Sequence, residues 1–353
     1  MNRRTFISLA GAAALAPAAR AETKPGEIRS VLLHLGHNMW CDWIPPDIDA
    51  AALAKQFEGG QSPIPDTVLR CKDALWRETT DYVASKGMNM VVIDLGDGVQ
   101  WPSHPEIAVK GAWSADKLRS ELARARAMGI EPIPKLNFST AHDAWLGEYQ
   151  RMVSTDTYYS VCRDLIRDVA EIFDHPRLLH LGYDEETASH QVWGCYGYIA
   201  VRSGWLWWHD FDLLRRAVEK NGMRAWIWSD YIWRHEKEFL DKMPRSVMQS
   251  NWYYYNSMTK PTNHPKPDMC RPWIEAFEKL DAAGFDQIPC GSTCECLENF
   301  GALVPWCRSR LSQDRLKGFL MAPWCCFRPG KGCKTVEETY CRSIDIAMSA
   351  LKS

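Results

Sequence analysis

Short runs rich in β-branched and aromatic residues recur eight times along this chain, each followed by an amphipathic segment, and that alternation leaves few folds open. The runs are 31–36, 90–95, 131–137, 178–183, 224–229, 247–252, 287–292 and 318–323. A parallel sheet joined by crossover helices satisfies such a pattern. Four helical segments end alike, at Gly87-Met88, Gly129-Ile130, Gly222-Met223 and Gly284-Phe285. Glycine there closes a helix in the left-handed conformation just before an apolar strand. The connections leaving the strands, such as 38–67, 96–113, 253–271 and 324–335, are long and unlike one another. Short joints on one side and long loops on the other mark the stability face and the functional face of a barrel. No Gly-x-Gly-x-x-Gly follows the first run, which argues against an open dinucleotide-binding sheet. The expected fold is an α/β (β/α)8 TIM barrel, a single domain over 22–353 with no linker after residue 30.

Residues 1–21 stand apart from this pattern. Arg3-Arg4 precede the short apolar run 6–15, and Ala19-Arg20-Ala21 offers a small-residue cleavage site, the form of a twin-arginine signal peptide. The expected partner of this segment is the twin-arginine export machinery, and the expected location is periplasmic or extracellular. The apolar run is too short for a stable membrane span. Loss of Arg3, Arg4 and Arg20 would take the formal charge from -2 to -5. No basic stripe then remains to neutralise phosphates, so nucleic acid is not an expected partner. The 13 cysteines form no strong zinc spacing, Cys294-Glu295-Cys296 and Cys325-Cys326 included, and read as buried thiols or disulfides. No cofactor and no metal is expected.

In a barrel of this kind, reactive side chains project from strand ends into the loop-lined mouth. The fourth run is the richest there, continuing from His180-Leu181-Gly182-Tyr183 into Asp184-Glu185-Glu186. Three adjacent acids after a buried strand would resist ionising together, which raises at least one pKa and suits a general acid. Acids in that place would equally stabilise the positive end of a following helix. Tryptophan is abundant at 17 residues, and Trp40, Trp101, Trp228, Trp252 and Trp324 fall at or beyond strand ends. Flat aromatic faces stack on the C–H faces of sugar rings, so a carbohydrate is the expected substrate, although any one tryptophan also serves as core.

The segment from His180 to Glu185 resembles the His-x-Gly-Gly-Asp-Glu signature of the β-N-acetylhexosaminidases, glycoside hydrolase family 20, in which the motif also closes strand four. Pro134-Lys135-Leu136-Asn137-Phe138 leading to His142 is similar to the family's strand-three segment, with weaker likeness through Trp228-Ser229-Asp230, Trp252-Tyr253 and Trp324. The resemblance implies retaining, substrate-assisted hydrolysis, in which the sugar's own 2-acetamido oxygen attacks the anomeric carbon. Glu185 would be the general acid and then the base, and Asp184 would orient the acetamido group. Trp228, Trp252 and Trp324 would wall the acetamido pocket, and one of Tyr253, Tyr254 and Tyr255 would donate to the acetamido oxygen, with Tyr253 adjoining the strand-six tryptophan. His142 would lie in the site. His180 would support a catalytic carboxylate or fill the barrel interior, and Asp230 would orient a sugar hydroxyl or cap a helix.

The chain departs from the family at the end of strand one, where Gly36-His37-Asn38-Met39-Trp40 carries no sugar-gripping arginine. After strand eight, Trp324 is followed by Cys325-Cys326-Phe327 and not by an acid. Tyr183 replaces the second glycine of the signature. Other readings keep their place. Glu185 with Glu295 would make an ordinary two-carboxylate retaining pair, and a non-catalytic carbohydrate-binding barrel would need neither. A metal hydrolase on His34 and His37 is disfavoured, since an i, i+3 pair on a strand points to opposite faces.

Overall fold

The computed structural model describes residues 26–40, 43–44, 46–49, 51–52, 64–194, 198–324 and 337–352. The twin-arginine segment 1–21 and the Cys325-Cys326 pair lie outside the described residues. Eight parallel strands are present: β1 (Ile28–His34), β2 (Met90–Asp94), β3 (Glu131–Lys135), β4 (Leu178–His180), β5 (Arg224–Trp228), β6 (Met248–Ser250), β7 (Cys290–Gly291) and β8 (Gly318–Met321). Each strand pairs with its neighbours in sequence except β6 with β7, and β1 pairs with β8. Isolated parallel bridges Gln249↔Gln287 and Trp252↔Cys290 join the sixth strand segment to the seventh and close the ring. This is the TIM barrel that the eightfold alternation predicts.

Nine α-helices lie among the described residues: α1 (Asp73–Lys86), α2 (Ala115–Ala127), α3 (Asp156–Ile172), α4 (Ala188–Gly194), α5 (Trp205–Lys220), α6 (Ile232–Lys242), α7 (Arg271–Ala282), α8 (Asn299–Arg310) and α9 (Arg342–Lys352). Gly87, Gly129, Gly222 and Gly284 all adopt positive φ at the helix-to-strand joints, as their positions predict. Helix α3 shows why these segments form. Thr155 caps it by accepting the Tyr158 N–H, Asp156 sits in its first turn, and Tyr158, Cys162, Leu165, Ile166 and Val169 are buried along one face.

Strand alternation separates two cores. Val31, Leu33, Val91 and Ile93 pack outward against the helices, whereas Leu32, Val92, Ile133, Leu178, Trp226 and Met248 fill the barrel. One level higher the filling turns polar. The register sets His34 opposite Asp94, Asp94 opposite Lys135, and Lys135 opposite His180. Lys135 is fully buried and forms an ion pair with Asp94, while His34 Nδ1 stands 3.5 Å from the same carboxylate.

On the third strand prolines interrupt the ladder. On β3 the odd-numbered residues face β2 and the even-numbered ones face β4, as the Glu131 N–H to Asn89 and the Leu136 N–H to His180 bonds show. Pro132 and Pro134 therefore remove two donors from the β3–β4 seam. Only Lys135↔His180 remains as a strand pair there. Two further two-residue strands, Val99–Gln100 and Trp113–Ser114, pair in the loop after β2, which the sequence reading did not anticipate. Among the described residues no helix is long and apolar enough to cross a membrane. Most of the eight described cysteines are buried.

Candidate active site

The chain leaves β4 through a bend that few residues tolerate. Gly182, Tyr183 and Glu185 have φ values of 72°, 73° and 59°, in the left-handed region. A side chain at Gly182 would meet Asn137 Oδ1 at 1.8 Å, so only glycine fits. Gly182→Ala is expected to cost at least about 2 kcal/mol, from left-handed strain and displacement of Asn137, as checked by urea denaturation. Asn137 is itself functional in position: its Nδ2 donates to Asp184 Oδ1 at 2.9 Å. The Ser139 hydroxyl donates to the Asp184 carbonyl, and the Glu185 N–H donates to Asp230 Oδ2 at 2.8 Å. Strands three, four and five thus hold the acidic pair jointly.

The bend sends the three acids different ways. Glu186 turns into the protein, where it pairs with Arg202 and accepts the Thr140 N–H. Arg202 also lies 3.3 Å from Asp210 and donates to the Phe138 carbonyl at 2.7 Å, so this buried network is structural. Asp184 and Glu185 converge instead on the strand-three histidine. His142 Nε2 stands 3.1 Å from Glu185 Oε2 and 3.3 Å from Asp184 Oδ2. A second imidazole arrives from α4, with His190 Nε2 2.9 Å from the same Glu185 oxygen. The sequence reading missed His190.

Electrostatics at this cluster differ from the expectation of a repelling triad. Burial pushes the Glu185 carboxyl up, but hydrogen bonds from His142 and His190 outweigh it and hold the group below the usual carboxylate range. Burial works against the charged form of His142 too, yet the Asp184 and Glu185 charges raise it. The acid whose pKa rises is Asp230, through burial and the neighbouring Asp184 charge. The imidazoles therefore favour the charged form of Glu185, and the carboxyl on which a proton is favoured is that of Asp230.

Aromatic rings wall the mouth above the pair. Trp228 stands 6.1 Å from Trp324, Tyr254 stands 6.4 Å from Trp324, and Trp252 stacks on Tyr254 at 5.0 Å. Trp252 Nε1 donates to Asp230 Oδ1 at 3.4 Å, which ties the wall to the acids. Tyr253 is not part of it. Its side chain lies in the outer core and its hydroxyl donates to the Ser257 carbonyl, whereas Tyr254 faces the barrel axis. Burial holds the Tyr254 phenol protonated, and the charge of Glu185 acts in the same direction.

His180 fills the interior between Trp226 and Trp228, and its Nδ1 accepts the Gly182 N–H at 3.0 Å, so it supports the bend and touches neither carboxylate. The His34 and His37 rings lie 5.6 Å apart, because His37 falls beyond the end of β1 and the strand alternation no longer governs it. Glu295 is exposed, and its charge acts on Tyr255 in the outer layer. Among the described residues, His142, Glu185 and His190 bring three metal-ligating atoms within 4.8 Å of one another.

No family model matches the chain, and no curated protein does. Solved structures do. The β-N-acetylhexosaminidase of Bacteroides fragilis superposes with a TM-score of 0.59 at 11% identity, over 92% of this chain and 65% of that one. An inactive mutant of the family 20 exo β-N-acetylglucosaminidase of Vibrio harveyi gives 0.55 at 12%, over 91% and 54%. The Streptomyces plicatus N-acetyl-β-hexosaminidase, in complex with Thio-NAglucal, gives 0.54 at 12%, over 90% and 63%. This chain has the barrel of those enzymes. At such identities the likeness is one of fold, and the chain spans between about half and two thirds of their length.

Proposed function

We propose that this protein is a glycoside hydrolase of the β-N-acetylhexosaminidase kind, retaining and substrate-assisted. One observation carries the reading: Asp184 and Glu185 stand side by side on His142 at the mouth of the barrel, beneath the ring wall of Trp252, Tyr254 and Trp324. Sugar faces stack on such rings, and paired carboxyls at a strand end supply proton transfer and charge.

In this mechanism the acetamido oxygen attacks the anomeric carbon as the glycosidic C–O bond breaks, and Glu185 delivers a proton to the departing oxygen. Glu185 rests ionised, so that proton comes through it from His142, whose Nε2 is 3.1 Å away. Asp184, fixed by Asn137, accepts the acetamido N–H and balances the positive charge that develops on the ring. Tyr254 donates its hydroxyl to the acetamido oxygen. Water then opens the cyclic intermediate, and its proton returns to Glu185. The twin-arginine segment adds export to the proposal, so the enzyme would act on oligosaccharides or glycoconjugates outside the cytoplasm.

A panel of aryl glycosides with and without the 2-acetamido group tests this. The acetamido sugars should be cleaved and the others left, and Asp184→Asn should reduce cleavage by about 10²-fold or more, the effect of losing one transition-state contact. Equal cleavage of sugars lacking the acetamido group would overturn substrate assistance. Sugar binding without any cleavage would overturn hydrolysis and leave a carbohydrate-binding barrel.

A further inference from the structure

Two imidazoles and a carboxylate converge on one point at the mouth. His142 Nε2 and His190 Nε2 both face Glu185 Oε2, at 3.1 and 2.9 Å, and Asp184 Oδ2 lies 3.3 Å from His142 Nε2. The two rings stand 5.3 Å apart at an interplanar angle of 71°, the edge of one turned to the other. They come from separate elements, the loop after β3 and helix α4, so no local turn brings them together.

Hydrogen bonding alone leaves this cluster unbalanced. His142 is 95% buried by its 5% exposure, and its Nδ1 has no hydrogen-bond partner. In the protonated ring Nε2–H serves the two carboxylates and the buried Nδ1–H goes unsatisfied. In the neutral ring either Nδ1 stays unsatisfied or the Nε2 lone pair faces two carboxylates. A cation that displaces the Nε2 proton removes the last of these conflicts, because lone pairs that repel one another then have a common acceptor.

The spacing also fits. Ligands about 2.0–2.2 Å from a tetrahedral zinc stand roughly 3.3–3.6 Å from one another. Glu185 Oε2 stands 2.9 and 3.1 Å from the two imidazole nitrogens and Asp184 Oδ2 stands 3.3 Å from His142 Nε2, within a few tenths of an ångström of that edge, and the donors of His142, Glu185 and His190 all lie within 4.8 Å of one another. Imidazole nitrogen and carboxylate oxygen form a donor set suited to zinc and cobalt(II), and unsuited to calcium or magnesium. Side-chain exposures of 29% for Glu185 and 26% for His190 leave a path for the ion to enter.

We infer that His142, Glu185 and His190 form a binding site for a divalent transition-metal ion of the zinc class, with Asp184 or water as the fourth ligand. The site itself stands apart from the glycosidase reading, while its consequence rests on that reading. An ion on Glu185 Oε2 occupies the lone pair that must carry the proton, so zinc acts as a reversible brake on hydrolysis.

The test uses the full chain stripped with a chelator. Calorimetric titration with zinc chloride should show one site, and cobalt(II) should give a tetrahedral absorption spectrum without a thiolate charge-transfer band. His190→Ala and His190→Gln, with folding confirmed by circular dichroism, should each bind zinc at least about tenfold to hundredfold more weakly. Absence of zinc uptake would overturn the inference. So would uptake undiminished in both His190 variants, or a thiolate band, since either would place the ion on the cysteines. Hydrolysis by the stripped chain without zinc binding would sink this inference and keep the enzyme. Zinc binding with no hydrolysis of any glycoside would do the reverse.

Discussion

Glu185→Gln should leave the barrel folded and reduce kcat for 2-acetamido glycosides by about 10²–10⁴-fold, the range associated with loss of a positioned general acid. The amide keeps the shape of the side chain and still meets His142 and His190, but it cannot pass a proton to the departing oxygen. Binding rests on the ring wall and on Asp184, so KM should change far less than kcat. The size of the loss should depend on the leaving group. An aryl oxide that departs readily needs little protonation, so its hydrolysis should fall least, whereas alkyl and sugar leaving groups should fall most. Steady-state kinetics across such a series checks the assignment. An equal loss for every leaving group would mean that Glu185 acts through charge and not through proton donation.

Lys135→Met should destabilise the protein by about 3–5 kcal/mol, a large share of a typical folding free energy. Lys135 has no exposed surface, and it faces Asp94 in the barrel interior. Removing it strands a buried carboxylate. Changing both residues to apolar ones should restore much of the loss, because the deficit comes from the unpaired charge and not from missing attraction. The pH dependence has a definite sign. Burial raises the Asp94 carboxyl, but the Lys135 charge and the His34 contact outweigh it and hold the group below the usual carboxylate range. A folded-state pKa depressed in this way contributes stability above the unfolded value of about 3.9, lost only as the pH falls towards the folded value. In Lys135→Met the carboxyl is raised instead, and protonation relieves it. Urea denaturation should therefore find a smaller gap between wild type and variant at about pH 4 than at about pH 7. A gap that stayed constant would show that lost packing, not charge, dominates.

The barrel could be read in the sequence because its signals are local and repeated. Eight apolar runs and four helix-closing glycines each report on a few neighbouring residues, and all fall where the fold uses them. The pair Asp184 and Glu185 was legible for the same reason, as a strand end with a shared motif. Ring placement after strand six is legible too. Met248 and Ser250 belong to the strand, and counting by twos carries the inward face through Trp252 to Tyr254, leaving Tyr253 outside. His190 was not legible. It lies on a short helix beyond a loop, and only the folded path brings it to Glu185. The fate of Glu186 was hidden likewise, since Arg202 is 16 residues away and nothing in the spacing pairs them.

The two prolines of β3 leave a barrel whose β3–β4 seam keeps a single strand pair, at the elements that carry the candidate acids. Side chains take over the joining there: Asn137 and Ser139 on one side, Asp184 on the other, with Arg202 reaching back to the Phe138 carbonyl. The same contacts that aim the acids also stitch one half of the cylinder to the other. A ligand that grips Asp184 would therefore also hold a side-chain link between the third and fourth strands.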